Sequence, residues 1–87
     1  MIGYVYILKD ENHQFYIGST INVENRFKAH LNKQTQTTSR MRDIKLVLKQ
    51  EYPNIQIARL IERRLKKMKR KDYIEKIIED GYIKMAY

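Results

Sequence analysis

The absence of cysteine constrains this chain more than any other feature of its sequence. Without thiols there can be no disulfide and no zinc site of the usual thiolate kind, and two histidines cannot complete a tetrahedral structural site. The 87 residues must therefore be held by a hydrophobic core. Because a chain this short buries only about 60–65% of its unfolded surface, nearly every apolar residue is needed, and we predict a single domain over residues 1–87.

The first residues predict a β-hairpin. Gly3–Leu8 and Phe15–Gly18 are rich in β-branched and aromatic side chains, and the polar stretch KDENHQ separates them. Tyr6 and Tyr16 can serve one site only if they share a face of the hairpin. We therefore predict that Tyr6 pairs with Tyr16 across a short turn in which Asn12 is left-handed.

The next segment predicts a helix, a loop and a third strand. Apolar side chains recur every four residues from Val23 to Leu31, and Asn22 is a suitable N-cap. Residues 32–42 are polar and without periodicity, which indicates a loop. Residues 44–52 alternate apolar and polar side chains, as a half-buried strand does.

Two helices are predicted after the third strand. Asn54 can cap the first, and its apolar face would change sides if it continued, so the chain must turn near Lys71. Asp72 and Glu75 resemble a capping box for the last helix, and Gly81 is an end signal. The predicted class is α/β, more narrowly α+β: a three-stranded antiparallel sheet flanked by helices, in the order ββαβαα.

Positive charge is concentrated in one segment of the chain. Lysine and arginine number 18 against 10 acidic residues, and residues 63–71 read RRLKKMKRK. Such a patch favours a polyanion, because each neutralised phosphate releases condensed counterions. The alternatives are a merely solvated helix face and, less well supported by the few large apolar residues in the block, an anionic membrane surface.

Several classes of function lack sequence support. No stretch approaches the roughly 18 apolar residues of a membrane span, and the N-terminus lacks the features of a signal peptide, so we expect a cytoplasmic protein. G-x-G-x-x-G, P-loop and H-E-x-x-H motifs are missing, which removes the usual nucleotide-cofactor and zinc-enzyme interpretations. Any metal must be held by carboxylates.

Two tyrosine motifs lie on the predicted hairpin, Tyr4-Val5-Tyr6 and Tyr16-Ile17-Gly18. They are followed by N-x-x-x-R-x-x-x-H, which contains Arg26 and His30, and by A-x-x-x-E-x-x-L-K, which contains Glu62. In this order the motifs resemble the GIY-YIG nucleases. The resemblance covers about residues 3–75, is nearest to small stand-alone single-domain members, and extends to the catalytic domain of this type in the excinuclease. Three positions depart from the family pattern: Tyr4 replaces a glycine, Ser19 a basic residue and His30 a tyrosine.

The resemblance implies a metal-dependent DNA endonuclease with a connection to DNA repair. Glu62 would hold one Mg²⁺ or Mn²⁺, whereas its alternative role is an exposed pair with Lys66. Arg26 would stabilise the scissile phosphate. The candidate general bases or proton relays are Tyr6, Tyr16 and His30, because a water must lose a proton to attack phosphorus.

The resemblance also implies a substrate surface and leaves a second function open. Predicted substrate-binding residues are Tyr4, Gly18, Ser19, Lys66, Lys67, Lys69 and Arg70. Gly18 could instead be a strand-end glycine or allow close approach of a tyrosine. The expected partner is DNA, branched or damaged forms included, with a protein partner or substrate shape supplying specificity. The alternative is a weak or inactive nucleic-acid-binding module of the same fold, and a protein-interaction domain comes third.

Overall fold

The computed structural model describes residues 1–32 and 41–87. Its elements in chain order are β1 (Gly3–Lys9), β2 (Phe15–Thr20), α1 (Val23–Leu31), β3 (Lys45–Tyr52), α2 (Ile55–Met68) and α3 (Lys71–Asp80). Both strand pairs are antiparallel, and the strand order is β2-β1-β3. The predicted α+β class and the order ββαβαα are confirmed. Most of the loop predicted over residues 32–42 lies outside the described residues.

The central strand β1 is buried on both faces. Val5 and Ile7 belong to one core cluster, which includes Ile61 of α2 and side chains of α3. Tyr6 and Leu8 point to the other face, where they pack with Val23 of α1. Because helices cover both faces of this strand, the strand tolerates an uninterrupted apolar run, and β2 is left as an edge strand beside it.

Asparagine caps fix where α1 and α2 begin. The Asn22 side chain accepts a hydrogen bond from the backbone N–H of Asn25 at 3.1 Å, and the Asn54 side chain accepts one from Ile57 at 2.9 Å. Each cap satisfies a backbone donor that the first helical turn cannot pair, as the sequence predicted. Among the described residues, the helices are too short and too polar to cross a membrane.

The turn between α2 and α3 differs in detail from the prediction. The chain turns at Lys69, which is left-handed with φ 51°, and α3 begins with Arg70 at its N-cap position. The predicted capping box is wrong, because Asp72 pairs with the Arg70 guanidinium at 2.7 Å and no side chain caps the helix. Gly81 ends α3 in the left-handed region with φ 83°, as predicted.

The hairpin register is displaced by two residues from the predicted one. Tyr6 pairs with Gly18, and Tyr16 pairs with Leu8. Because side chains alternate along a strand, a displacement by an even number keeps Tyr6 and Tyr16 on the same face. The predicted pairing is therefore wrong, whereas the shared face is confirmed.

A side chain in the hairpin loop accounts for the register. The buried Asp10 carboxylate accepts hydrogen bonds from the backbone N–H groups of Asn12 at 3.0 Å and Gln14 at 2.8 Å. These bonds hold a longer loop than the predicted turn. The left-handed residue is consequently His13, with φ 60°, and not Asn12.

Candidate functional site

Three aromatic side chains meet on the α1 side of the sheet. Ring centroids are 6.1 Å apart for Tyr6 and Tyr16, 5.7 Å for Tyr6 and His30, and 4.8 Å for Tyr16 and His30. The Tyr6 hydroxyl and His30 Nε2 lie 2.9 Å apart and share a hydrogen bond. We call Tyr6, Tyr16 and His30 the aromatic cluster; Tyr6 and His30 are buried, and Tyr16 is half-buried.

Gly18 makes room for the aromatic cluster. A Cβ atom at this position would lie 2.5 Å from Cζ of Tyr6, the residue with which Gly18 pairs on β1. No carbon atom can approach that closely, so any side chain here would displace the Tyr6 ring. Of the explanations that the sequence left open for this glycine, close approach of a tyrosine is the one that the structure supports.

Helix α1 brings Arg26 to the aromatic cluster. Arg26 precedes His30 by one helical turn, and the Asn22 cap sets the start of this helix. The pKa of Arg26 is raised, chiefly by hydrogen bonding to Tyr6, with a smaller contribution from Tyr16. Its exposed guanidinium therefore lies beside two tyrosine hydroxyls, where it can also meet an anion from solvent.

Burial sets the protonation of the aromatic cluster. It raises the pKa of Tyr6 to about 12, although Arg26 opposes the shift. It also lowers the pKa of His30, and repulsion from Arg26 lowers it further. At neutral pH Tyr6 is therefore a phenol and His30 a neutral imidazole, which can accept a proton at one ring nitrogen.

Glu62 approaches the aromatic cluster from the other face of the sheet. Ser19 alternates with Gly18 on β2 and therefore faces α2, where its hydroxyl donates to Glu62 Oε1. Lys66 Nζ lies 2.6 Å from Glu62 Oε2 and 5.6 Å from the Tyr16 ring centroid. Lys66 thus reaches around the edge strand and joins Glu62 to the cluster.

The surroundings of Glu62 fit one hydrated divalent cation. Within residues 1–32 and 41–87, no three or more His, Asp or Glu side chains group together as ligands. Mg²⁺ often keeps several waters and binds through one carboxylate together with substrate phosphates. The Glu62 side chain is 20% exposed and borders a cavity of about 360 Å³, so it can supply that carboxylate once Lys66 releases Oε2.

The predicted substrate-binding residues fall in different places. Lys66, Lys69 and Arg70 line one groove, which the sequence analysis did not distinguish from the rest of the basic segment. Tyr4 lines a separate cavity beside α1, and Lys67 is exposed but does not line the groove.

Two residues that line the groove were missed by sequence analysis, Phe15 and Lys71. Phe15 reads as a core residue, and Lys71 as part of a turn. An aromatic residue at the start of a β-strand beside polar loop residues was the available signal for Phe15, since the end of an edge strand is incompletely covered.

Comparison with known proteins identifies the relatives of this arrangement. The GIY-YIG catalytic domain matches residues 2–76 of the chain. The fold is similar to the solution NMR structure of the UPF0213 protein BH0048 from Bacillus halodurans, with a TM-score of 0.59 and 28% sequence identity over 93% of this chain and 87% of that chain. No curated protein sequence has significant similarity to it.

Proposed function

The chain belongs to the GIY-YIG family, and we propose that it is a divalent-metal-dependent endonuclease that hydrolyses phosphodiester bonds of DNA. Membership supports a nuclease-type function and a nucleic-acid substrate, whereas the DNA substrate, the metal and the residue roles are our proposal. The observation that carries it is the meeting of Arg26 with the aromatic cluster beside Glu62 at one exposed strand edge.

Arg26 has the position and charge to stabilise a scissile phosphate. Phosphodiester hydrolysis builds negative charge on the phosphate oxygens, and a guanidinium can donate two hydrogen bonds to them. Glu62 would hold Mg²⁺ or Mn²⁺, which when bound would neutralise phosphate charge and acidify a water. The wall of the site from which both groups project is the edge strand β2.

We assign proton removal to Tyr6 and His30 acting together. With a pKa of about 12, Tyr6 is too weak an acid to serve as a tyrosinate base near neutral pH. It can instead pass its hydroxyl proton to the neutral His30 at Nε2 while taking one from the attacking water. The water becomes hydroxide, Tyr6 is regenerated, and the proton ends on the imidazole.

A binding module without catalysis remains the second candidate function. Both Glu62 oxygens are engaged, one by the Ser19 hydroxyl and the other by the Lys66 ammonium. If Lys66 does not yield to a cation, the basic surface still binds nucleic acid but Glu62 supports no chemistry. This arrangement is the specific observation that favours the alternative.

The deciding experiment is cleavage of duplex, flapped, branched and single-stranded DNA with Mg²⁺ or Mn²⁺. We expect nicking by the wild type, a loss of about 10²–10³-fold in turnover for Arg26→Ala, and no detectable turnover for Glu62→Gln. Glu51→Gln, an exposed acid on β3, is the matched control and should cleave normally. Binding of DNA without cleavage of any form by the wild type would replace the nuclease with the binding module.

A further inference from the structure

A groove of about 410 Å³ lies between β2, the end of α2 and the start of α3. Its apolar part includes Phe15 and the buried Leu65, and its cations are Lys66, Lys69, Arg70 and Lys71. A ligand that satisfies both parts must combine a flat or apolar body with several negative charges. Nucleotides have this composition, with a base that stacks on aromatic rings and phosphates that pair with cations.

Phe15 is the aromatic surface of this groove. It is half-buried at the start of the edge strand, and ammonium groups of Lys9 and Lys71 lie 5.7 Å and 5.8 Å from its ring centroid. Side chains from two different elements therefore reach this ring. A nucleobase stacked there would bring its own phosphate close to Lys71.

The groove is continuous with the proposed active site through Lys66. This residue lines the groove, pairs with Glu62, and lies over the Tyr16 ring. A nucleic-acid strand with one phosphate at Arg26 and the aromatic cluster can therefore extend past Lys66 into the groove. In a duplex the bases are stacked inside the helix, so only an unpaired nucleotide can cover Phe15.

We propose that this groove binds an unpaired nucleotide of the DNA substrate, next to the bond that is cut. The inference deepens the proposed function and rests on it for the position of the scissile bond. It names the substrate class as DNA with a single-stranded flap, gap or overhang beside a duplex. Nucleotide binding itself requires no cleavage and can be measured separately.

The test compares three fluorescent probes in metal-free buffer, where no cleavage occurs. They are a blunt duplex, the same duplex with a short thymidine overhang, and that overhang made of abasic nucleotides, which keep the phosphates but lack the bases. The wild type should bind the thymidine overhang about ten-fold more tightly than the abasic one, as base stacking on aromatic rings predicts. Phe15→Tyr should retain this preference, and Phe15→Leu should lose it.

Two matched controls separate the groove from general effects. Tyr82→Leu removes another exposed aromatic ring with a lysine 5.3 Å from its centroid, outside the groove, and should keep the preference. Lys71→Glu should reduce binding of the thymidine overhang more than binding of the blunt duplex. Lys67→Glu makes the same charge change outside the groove and should weaken both alike. The lysine pair decides the question even if Phe15→Leu fails to fold.

Each result separates this proposal from the nuclease assignment. Equal binding of thymidine and abasic overhangs by the wild type, or equal effects of Lys71→Glu and Lys67→Glu, would overturn the groove proposal even if DNA is cleaved. A base preference that depends on Phe15, found in a protein without cleavage, would support the groove and overturn the nuclease.

Discussion

At the scale of single residues, the site depends on one missing side chain. Tyr6 can lie across β2 only because Gly18 carries no Cβ, and its hydroxyl thereby reaches His30. Gly3 is a second such position, where a Cβ would lie 2.6 Å from the Ile55 backbone. The two glycines permit different things: one allows packing of β1 on α2, the other allows the aromatic cluster.

Alanine at the two glycines should therefore have different effects on activity. We expect Gly3→Ala and Gly18→Ala each to lower the free energy of unfolding by about 1–3 kcal/mol through overpacking. Only Gly18→Ala should also reduce turnover of the folded protein, because it displaces Tyr6. Urea denaturation and cleavage assays below the unfolding transition measure the two effects, and equal turnover for both variants would contradict this explanation.

The lowered pKa of His30 predicts a pH-dependent stability. The unfolded histidine, with a pKa near 6.5, binds a proton more readily than the folded one, so protonation favours unfolding. The free energy of unfolding should fall as pH decreases below about 6.5, until the folded pKa is passed. Tyr6, Tyr16 and Arg26 face this imidazole, and none supplies a carboxylate to offset the effect.

His30→Gln should remove this contribution, and His13→Gln should not. The second variant changes the other histidine, which is exposed in the hairpin loop. Urea denaturation between about pH 7.5 and 5.5 measures the slope above the range where most carboxylates titrate. A slope that persists in His30→Gln would show that another group is responsible.

At the scale of elements, the sequence predicts faces better than partners. Alternation and helical spacing place Tyr6 and Tyr16 on one face, and Arg26 and His30 on one side of α1, because both patterns are local. The hairpin register depended on how the Asp10 side chain bonds the loop backbone, which alternation does not encode. The bond from Ser19 to Glu62 joins residues 43 positions apart, so only the packing of α2 on β2 could reveal it.

The i,i+4 pair on α2 predicts competition between a lysine and a metal. Lys66 neutralises Glu62 Oε2, so a divalent cation must displace it before using that oxygen. Lys66→Met should therefore bind Mn²⁺ several-fold more tightly than the wild type when no DNA is present. Isothermal titration calorimetry measures this affinity, with Lys67→Met, an exposed neighbour, as the control. Unchanged Mn²⁺ affinity in Lys66→Met would mean that the lysine does not compete at Glu62.

At the scale of the whole molecule, the position of charge should matter more than its sum. Replacing Lys66, Lys67, Lys69 and Arg70 by glutamine lowers the formal net charge from +8 to +4. Replacing Lys45, Lys49, Lys76 and Lys84 gives the same net charge but leaves the groove intact. Because phosphates release counterions only where they meet cations, the first variant should bind DNA more weakly and with a flatter dependence on salt.

The salt dependence makes this comparison quantitative. Each lost phosphate contact should reduce the slope of log affinity against log salt concentration by about 0.9 for duplex DNA, so up to roughly four contacts would be detectable. Fluorescence anisotropy at several salt concentrations gives the slope for both variants. If the two variants bind with equal affinity and equal slope, DNA responds only to the overall charge, and the basic segment at the end of α2 is solvated surface.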